Sequence, residues 1–407
     1  MSLDYEIYPL KKLNEGASVF SGFAFKSNDF SDEGIPIVKI KNIQNKSVDL
    51  KEVQYFPLDK VNNKHKKFFL KNNDVLIAMT GQGSLGRVGR INLESNEYVL
   101  LNQRVGKFVV DEKNLHLNYL YHVISSDMYE KILFDRGTGS GQPNLSPEII
   151  LGTEIPMPNL TTQKKISSIL DNINSKITLN KKINKNLEEL MHVLFKKYFI
   201  DNNPFYVEND ENWNIIKLKD LIIRNRDKIN DFDNWKDELL IDLSNMPRFS
   251  IAISNFDKGK KFTSNIYKLN KYDLLFGSIR PYFGKVGFSP INGVVTGTVH
   301  SFKPIDDIYY SLVLSLISSK TFINYTVSVS KGTKMPSVKW DDFINYEFAI
   351  PDDLSKIGEY NKILLPLIHK IEKNILEIQR LTKLRDTLLP KLMSGEIDVS
   401  EVNCDLE

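Results

Sequence analysis

The chain carries one sequence plan twice, and this internal repeat constrains its fold more than any other feature. In each copy a strand-rich segment runs through a proline-containing step into a long helix with a heptad pattern. The matching anchors occur in the same order: Asp74-Val75-Leu76 and Asp273-Leu274-Leu275, Gly86-Arg87-Val88-Gly89 and Gly284-Lys285-Val286-Gly287, Pro143 and Pro336, Pro158 and Pro351, and Ile169-Leu170 and Ile363-Leu364. A match in fixed order over this many positions indicates duplication. We therefore expect two similar globular heads, each followed by a long helix.

The composition narrows the class of protein. With 407 residues the chain is long enough for two domains with their own cores plus connecting helices. Its hydrophobic content of 41% and charged content of 26% are typical of a soluble protein. The single cysteine, Cys404, excludes a disulfide framework, and neither a signal-peptide pattern nor an apolar run of membrane-spanning length occurs. We therefore expect a cytoplasmic protein with no membrane partner.

Apolar residues recur every seven positions in both predicted long helices, which cover residues 157–200 and 352–394. Repeats sustained over four or more heptads are typical of coiled coils. Because the helices have nearly equal length, we expect them to pack together as an antiparallel pair within one chain. The residues predicted for their interface are Ile166, Leu170, Ile173, Ile177, Leu187, Leu194, Leu364, Ile371, Ile378 and Leu388. Asn180 falls on the same series, where it either fixes the register or faces solvent.

Each head is predicted to be mixed α+β. Runs rich in Val and Ile, bounded by Asn, Gly and Asp, indicate strands, and short helices follow them. The predicted strands are Tyr8–Leu13, Pro36–Ile43, Asp74–Met79, Val88–Ile91, Val105–Val110 and Trp213–Leu218, and the predicted helical regions are Leu117–Leu133 and Ile308–Val327. The expected architecture is two α+β heads, residues 1–156 and 201–351, joined by two long antiparallel coiled-coil helices in a pseudo-two-fold arrangement. Residues 395–407 are expected to form a polar tail.

One motif of the first copy has the spelling of a dinucleotide-binding fingerprint. Gly81-Gln82-Gly83-Ser84-Leu85-Gly86 follows a predicted strand, but that fingerprint needs a helix directly after it, with its amino terminus facing the pyrophosphate. Residues 87–92 have the pattern of another strand instead. The second copy keeps only the last glycine, Gly284. We therefore interpret these glycines as those of a hairpin turn.

Two loops rich in glycine and polar residues occupy equivalent places shortly before the long helices. They are Arg136–Asn144 and Ser330–Ser337. Backbone amides and Arg, Lys, Thr or Asn side chains in such turns can approach phosphate oxygens and base edges. A flexible surface loop is the alternative interpretation. The first long helix is also basic, with eight lysines and three acidic residues over 160–200. These lysines either contact DNA phosphates or form an ordinary solvent-exposed helix face.

The chain lacks the sequence patterns of a catalytic or metal-binding site. Its six histidines are scattered without ligand-like spacing, and neither a phosphate-binding loop motif nor a nucleophile elbow occurs. Asn202-Asn203-Pro204-Phe205 lacks the second proline of the motif of DNA adenine methyltransferases and is interpreted as a turn. Pro351-Asp352-Asp353 with Lys356 lacks an earlier acidic partner for a nuclease motif. We therefore expect a non-catalytic chain.

Several segments together resemble the specificity subunits of type I restriction-modification systems, and the resemblance covers nearly the whole chain. The segments that carry it are Ser21–Ser27 (SGFAFKS) with Asp29-Phe30, Gly34–Ile40 (GIPIVKI), Gly141–Ser146 (GQPNLS), Ile155–Pro158 (IPMP), Leu194–Phe199 (LFKKYF) and Leu388–Ile397 (LLPKLMSGEI). None is diagnostic alone, but their order on a duplicated plan is specific. The second head departs from the family pattern, because Ser21–Ser27 has no clear counterpart there and Leu354–Ile357 replaces the helix opening seen at Thr162–Ile166.

The resemblance implies a DNA-recognition subunit without catalytic activity. Each head would be a target recognition domain that reads a few base pairs of double-stranded DNA, and the helices would hold the two half-sites a fixed distance apart. Two methyltransferase subunits would dock around the helices and methylate adenine with S-adenosylmethionine. Restriction subunits that use ATP and magnesium would then join. These cofactors belong to the partners, so none is expected in this chain.

Polar, cationic and aromatic residues of the loops are the candidates for DNA contact. Arg can pair bidentately with guanine, and Gln or Asn with adenine. The candidates are Gln82, Arg87, Gln142 and Asn144 in the first head and Arg280, Tyr282, Lys285, Lys331 and Lys334 in the second. Each of them either reads a base or positions the DNA backbone.

Two other interpretations stay open on the sequence. The chain could be a coiled-coil scaffold that binds protein without specific DNA recognition; strong salt dependence of duplex binding would argue against this. It could also serve a methyltransferase alone, without any restriction subunit.

Overall fold

The computed structural model describes residues 8–44, 46–138, 143–201, 213–230, 234–258 and 265–402. The contacts between residues divide the chain into two compact units. The first unit is Met1–Ile173 together with Leu384–Glu407, and the second is Asn174–Lys383. Each unit therefore combines one head with part of both long helices.

The first unit contains eleven described strands and three short helices. The strands are β1 Leu10–Lys12, β2 Ala17–Ser21, β3 Ile35–Val38, β4 Ile43–Gln44, β5 Ser47–Val48, β6 Gln54–Phe56, β7 Val75–Ala78, β8 Val88–Arg90, β9 Leu100–Leu101, β10 Val105–Val110 and β11 Glu154–Pro156. The short helices are α1 Leu117–Ile124, α2 Asp127–Gly137 and α3 Pro147–Leu151. The largest sheet has the order β2-β10-β7-β8-β5-β4, a second sheet has the order β6-β3-β9, and β1 pairs with β11. All four residues of β7 are buried, as expected of a central apolar strand.

The second unit repeats this architecture, and the two long helices pass through both units. The long helices are α4 Leu160–Phe195 and α8 Leu354–Ser394. The strands of the second unit are β12 Trp213–Lys217, β13 Ile222–Arg224, β14 Leu239–Ile241, β15 Asp257–Lys258, β16 Ile266–Leu269, β17 Leu274–Gly277, β18 Val286–Phe288, β19 Gly293–Thr296, β20 Val299–Pro304 and β21 Glu347–Pro351. Its short helices are α5 Tyr310–Ser318, α6 Lys320–Ser328 and α7 Trp340–Ile344. Its sheets have the orders β13-β20-β17-β18, β15-β14-β19-β16 and β12-β21.

The strand topology confirms the duplication that the sequence predicts. The antiparallel order β2-β10-β7-β8 of the first unit recurs as β13-β20-β17-β18 in the second. The parallel pair β3–β9 recurs as β14–β19. In both units a strand near the start of the head pairs with the strand that enters the long helix, β1 with β11 and β12 with β21. The α+β class is therefore confirmed as well.

Three predicted elements are interrupted in the structure. The segment predicted as one strand over Pro36–Ile43 divides into β3 and β4, because the Asn42 side chain accepts a hydrogen bond from the Lys39 backbone amide over 2.9 Å and turns the chain. The helical regions each divide into two helices. Ser126 and Ser319 begin the second helix of each pair, and their hydroxyl oxygens accept hydrogen bonds from the amides of Tyr129 and Phe322.

Each unit has a continuous apolar core that includes part of the long helices. In the first unit Ile166 and Leu170 of α4 pack in the same core as Leu392 and Met393 of α8. Val399, which follows α8, also lies in this core and is 2% exposed. The last residues of the described chain thus complete the core around which the first head is built.

In the second unit α4 and α8 run antiparallel to each other. Asn180 Nδ2 donates a hydrogen bond to Glu377 Oε2 over 2.9 Å, and Asn374 Nδ2 donates to Asn184 Oδ1 over 2.7 Å. The residue further along α4 is bonded to the residue nearer the start of α8, so the two helices run in opposite directions. Asn180 is 1% exposed, which excludes the solvent-facing alternative for this residue.

The ten residues predicted for the helix interface lie on buried or half-buried positions. The buried ones are Ile166, Leu170, Ile177, Leu364, Ile371 and Ile378. The half-buried ones are Ile173, Leu187, Leu194 and Leu388. After Phe195 the first long helix continues as a π-helical turn over Lys196–Ile200.

Candidate nucleic-acid interface

A tight turn joins β7 to β8 in the first unit and carries two of the predicted DNA-contacting residues. Gly81 and Gly86 adopt positive φ angles of 103° and 76°, which glycine tolerates without a steric penalty. The amide of Gly86 donates to the carbonyl oxygen of Ala78 over 2.9 Å, and the chain then enters β8. The glycine motif is therefore a hairpin turn, as the sequence indicates.

The loop that precedes α3 lies beside this turn. Thr80 and Asn144 form an antiparallel bridge, and the amide of Leu145 donates to the carbonyl oxygen of Met79 over 2.8 Å. Gln82, Arg87 and Asn144 are all exposed. We call these three residues the first loop surface. The fourth candidate of this head, Gln142, lies outside the described residues.

The hairpin of the first unit is fixed to helices on its inner side. Glu130 of α2 accepts a hydrogen bond from the Val88 amide over 3.0 Å, and burial raises the pKa of this carboxyl. At the other end of β8, Arg90 donates to Asp171 of α4 over 3.1 Å. The exposed residues of the turn are thus presented by a strand that is held at both ends.

Asp171 is the centre of a polar network between the first head and α4. In addition to Arg90, its carboxylate contacts His122 Nε2 at 3.0 Å and accepts a hydrogen bond from Asn118 at 2.8 Å. Burial alone would raise the pKa of Asp171, but the hydrogen bond from His122 and the charge of Arg90 lower it below its usual value. The carboxylate therefore stays ionised and orders the surface of the head that faces the helix.

The second unit has the equivalent pair of loops. Residues 278–285 join β17 to β18, and Arg280 in this turn has a left-handed backbone with a φ of 51°. Its amide donates to the carbonyl oxygen of Pro336 over 2.7 Å, and Ile279 bridges Ser337. Lys331 and Ser337 exchange two backbone hydrogen bonds of 3.0 Å, which close the neighbouring loop. Both predicted loops of this head therefore lie side by side.

These loops bring four of the five predicted residues of the second head to one exposed surface. Arg280, Lys331 and Lys334 are exposed, and Tyr282 has an exposed fraction of 42%. A guanidinium nitrogen of Arg280 donates to the carbonyl oxygen of Lys334 over 3.4 Å. Three exposed cations and an exposed aromatic side chain thus lie on two neighbouring loops.

Lys285, the fifth residue, is placed differently. It is half-buried, and its ammonium group donates to the carbonyl oxygen of Leu243. Burial and the nearby charge of Arg248 lower the pKa of this lysine. Lys285 therefore supports the turn with its hydrogen bond.

Sequence reasoning missed a third segment of this surface, Arg248 and Phe249. The Arg248 guanidinium lies 3.9 Å from the centroid of the Phe283 ring, and Phe249 has an exposed fraction of 66%. The amide of Phe249 donates to the carbonyl oxygen of Gly284 over 3.0 Å. The available sequence signal is the Arg-Phe pair directly after Pro247, and the structure places it between β14 and β15. We call Arg248, Phe249, Arg280, Tyr282, Lys331 and Lys334 the second loop surface.

Helix α4 holds this third segment through a buried carboxyl group. Glu188 accepts a hydrogen bond from the Ser250 hydroxyl over 2.9 Å and one from the Ile251 amide over 3.3 Å. Burial raises the pKa of Glu188 to about 7, although both hydrogen bonds act in the opposite direction. The loop that presents Arg248 and Phe249 is therefore fixed to the long helix.

The chemistry of the two loop surfaces suits phosphates and base edges: the first surface combines a cation with the side-chain amides of Gln82 and Asn144, and the second combines cations with aromatic rings. Among the residues that the structure describes, no group of three or more His, Cys, Asp or Glu side chains is arranged to hold a metal ion. No helix within the described segments is both long enough and apolar enough to cross a bilayer.

The chain is similar to a known family model and to several known proteins. Residues 5–189 match the family model described as "Type I restriction modification DNA specificity domain". The chain is 27% identical over 320 residues to the type I restriction enzyme MjaIX specificity subunit of Methanocaldococcus jannaschii, with 72% of each chain covered. It is 22% identical over 421 residues to the EcoBI specificity subunit of Escherichia coli, with 94% of this chain and 84% of the relative covered.

A solved structure has the same fold. It is the S subunit of a type I restriction-modification system from M. genitalium, which aligns with a TM-score of 0.61 at 15% sequence identity and covers 97% of this chain and 98% of that one. Together with the sequence matches, this confirms the resemblance drawn from the sequence segments: the chain is similar, in sequence and in fold, to the specificity subunits of type I restriction enzymes.

Proposed function

We propose that this protein is the DNA sequence-specificity subunit of a type I restriction-modification complex. The two loop surfaces read the two halves of a bipartite target in double-stranded DNA. The observation that carries the proposal is the repeated pairing of a hairpin turn with the loop shortly before the long helix. This pairing brings residues far apart in sequence, such as Arg280 and Lys334, to one exposed surface.

The chemistry of the two loop surfaces fits duplex DNA. Lys331 and Lys334 are exposed cations on a closed loop, which suits contacts with phosphates and therefore supplies affinity that depends on salt. Arg87 and Arg280 lie at tight turns, where a guanidinium can reach a guanine edge in the major groove. Because the two surfaces differ in their residues, the two half-sites are expected to differ in sequence.

The long helices set the distance between the half-sites in this proposal. A continuous helix of 36 residues, the length of α4, extends roughly 54 Å at the usual rise per residue. Both α4 and α8 pass from one unit into the other. A bipartite target with a constant spacer follows from this arrangement.

The chain itself is proposed to be non-catalytic. Two methyltransferase subunits would bind it and methylate adenine with S-adenosylmethionine, and restriction subunits would contribute ATP- and magnesium-dependent cleavage. The support for these partners is the family context, since the relatives are named as subunits of restriction enzymes.

Mapping of modified bases tests the proposal. The full chain is co-expressed with a type I methyltransferase subunit that forms a stable complex with it, and methylated adenines are located by single-molecule sequencing of the host genome. A bipartite motif with a constant gap is the expected result. If a stable complex with an active methyltransferase produced no motif, the chain would instead be a protein-binding scaffold.

A further inference from the structure

Phe249 is exposed in a backbone conformation that disfavours it. Its side chain has an exposed fraction of 66%, and its φ of 52° lies in the left-handed region. A bulky residue is rare in that region, because its Cβ crowds the backbone. Strained residues of this kind persist where the surrounding structure fixes them, and they are concentrated at binding sites.

The structure holds Phe249 from several sides. Its amide is bonded to the carbonyl oxygen of Gly284, and Ser250 and Ile251 are bonded to Glu188 of α4. The ring lies against the backbone of Gly284, where an added Cβ would come within 2.6 Å of Phe249 Cδ1. The exposed ring is therefore in a defined position, with little freedom to turn into the protein.

A second exposed ring and an exposed cation belong to the same surface as Phe249. Arg248, the residue before it, is exposed and its guanidinium lies 3.9 Å from the centroid of the Phe283 ring. Phe249 and Tyr282 line one cleft of about 650 Å³ between the end of α4, the β17–β18 turn and α6. An exposed apolar ring on a surface that also carries exposed cations matches a ligand that has phosphates outside and flat apolar surfaces inside, and duplex DNA has both.

From these contacts we propose that Phe249 inserts between two adjacent base pairs of the DNA half-site bound by the second unit. The inference rests on the proposed function and adds a deformation of the DNA to it. Arg248 and the exposed lysines Lys331 and Lys334 neutralise phosphates near the opened step, and the ring fills the space between the two separated base pairs. Side chains used in this way unstack a base step and bend the duplex. Specificity then also depends on how easily that step deforms.

The test uses the full chain in complex with its methyltransferase subunits and a duplex with the mapped bipartite target. 2-Aminopurine replaces one base at a time across both half-sites, because its fluorescence rises when a stacked neighbour is lost. The wild-type chain is expected to raise the fluorescence at one step of one half-site. Phe249→Ala is expected to abolish this rise and to weaken binding roughly ten-fold or more. Phe249→Leu, which keeps an apolar side chain of the kind that separates base pairs, is expected to retain most of the rise.

Ile223→Ala is the matched control, since Ile223 is an apolar residue of the same unit with an exposed fraction of 50%. It should leave both binding and fluorescence unchanged. A wild-type chain that binds the duplex without any rise overturns the insertion and leaves the proposed function standing, whereas a chain that binds no duplex overturns both. If Phe249→Ala keeps the rise but loses the methyltransferase subunit, the ring contacts protein and the insertion is wrong.

Discussion

Asn374 donates its side-chain amide to the Oδ1 atom of Asn184 over 2.7 Å, and both residues are buried between the two long helices of the second unit. Such a pair costs desolvation energy, which the mutual hydrogen bond offsets only in the register that brings the two amides together. Asn184→Leu leaves the Asn374 amide unpaired. We expect it to lower the free energy of unfolding by about 1–3 kcal/mol in urea denaturation.

The double variant Asn184→Leu, Asn374→Leu distinguishes the cost of leaving one amide unpaired from the cost of burying both amides. It removes both polar groups and fills the space with apolar atoms, so its stability should return to that of the wild type or exceed it. A double variant less stable than both single variants would contradict this account, because it would show that the amides contribute net stability.

Glu188 makes the stability of the second unit depend on pH. The pKa of its carboxyl is raised to about 7 in the folded protein, above the usual value near 4.5. The stabilisation that Glu188 contributes in its protonated form is complete below about pH 4.5 and is lost as the pH rises to about 7. It is lost because the carboxyl ionises at lower pH in the unfolded chain than in the folded protein. The loss is on the order of 3 kcal/mol if the full shift is realised. Unfolding free energies measured between pH 4.5 and 8 check this.

Glu188→Gln is the variant that isolates this effect. Its side-chain carbonyl oxygen can accept the hydrogen bond from the Ile251 amide and its NH2 group can donate to the Ser250 hydroxyl oxygen, but it does not titrate. The difference in stability between wild type and variant should therefore change across this pH range. A constant difference would show that folding does not raise the pKa of Glu188.

Asp171 is expected to anchor the first head to α4. Asp171→Ala removes the acceptor of Arg90, His122 and Asn118, so it should lower the free energy of unfolding of the first unit by about 2–3 kcal/mol. Asp127→Ala is the control, because that side chain is 92% exposed and pairs with Lys46 on the surface. The loss of stability in this control variant should be much smaller. Equal losses of stability in both variants would show that Asp171 contributes no more than an exposed surface ion pair.

Arg87 and Arg280 should act on different half-sites. Arg87→Ala is expected to cost on the order of 1–3 kcal/mol at one half-site and to relax one position there, and Arg280→Ala should do the same at the other half. Genome-wide mapping of methylated adenines reads both effects at once. Uniform weakening on every sequence, with a salt slope reduced by about 1, would make the residue a phosphate contact instead.

Lys11→Ala controls for the simple loss of a positive charge in the first unit, since Lys11 is exposed on β1 and lies outside both loop surfaces. This variant should leave the recognised sequence of both half-sites unchanged. A relaxed motif in this variant would mean that the contacts with bases extend well beyond the turns.

The architecture could be predicted from the sequence because its signals are local and repeated. The heptads indicated α4 and α8, and the strand pattern after Gly86 distinguished a hairpin from a nucleotide site. The division of the helical regions at Ser126 and Ser319 was missed because apolar residues continue on both sides of each break. A periodic pattern reports which face is buried, but it does not report where a serine ends one helix and starts another.

The loop surfaces were harder to predict because they depend on contacts between distant residues. The position of Arg280 beside Lys334 follows from bridges across more than fifty residues, and Phe249 reaches this place through its bond to Gly284. The heptad series also placed Asn180 on the helix interface without deciding its exposure, which depends on the presence of Glu377 opposite. Such outcomes are set by tertiary packing.

The core of the first unit contains Leu392, Met393 and Val399, so residues more than two hundred positions apart in sequence share one apolar cluster with the first head. During synthesis residues 8–173 leave the ribosome before the second unit, but the side chains of α8 that complete their core leave it after the second unit. Residues 174–383 are contiguous and emerge together. Domains usually finish folding in the order in which they are translated. Here the second unit is expected to reach its native packing before the first unit, because the core of the first unit is complete only after the carboxyl-terminal turns of α8 have been synthesised.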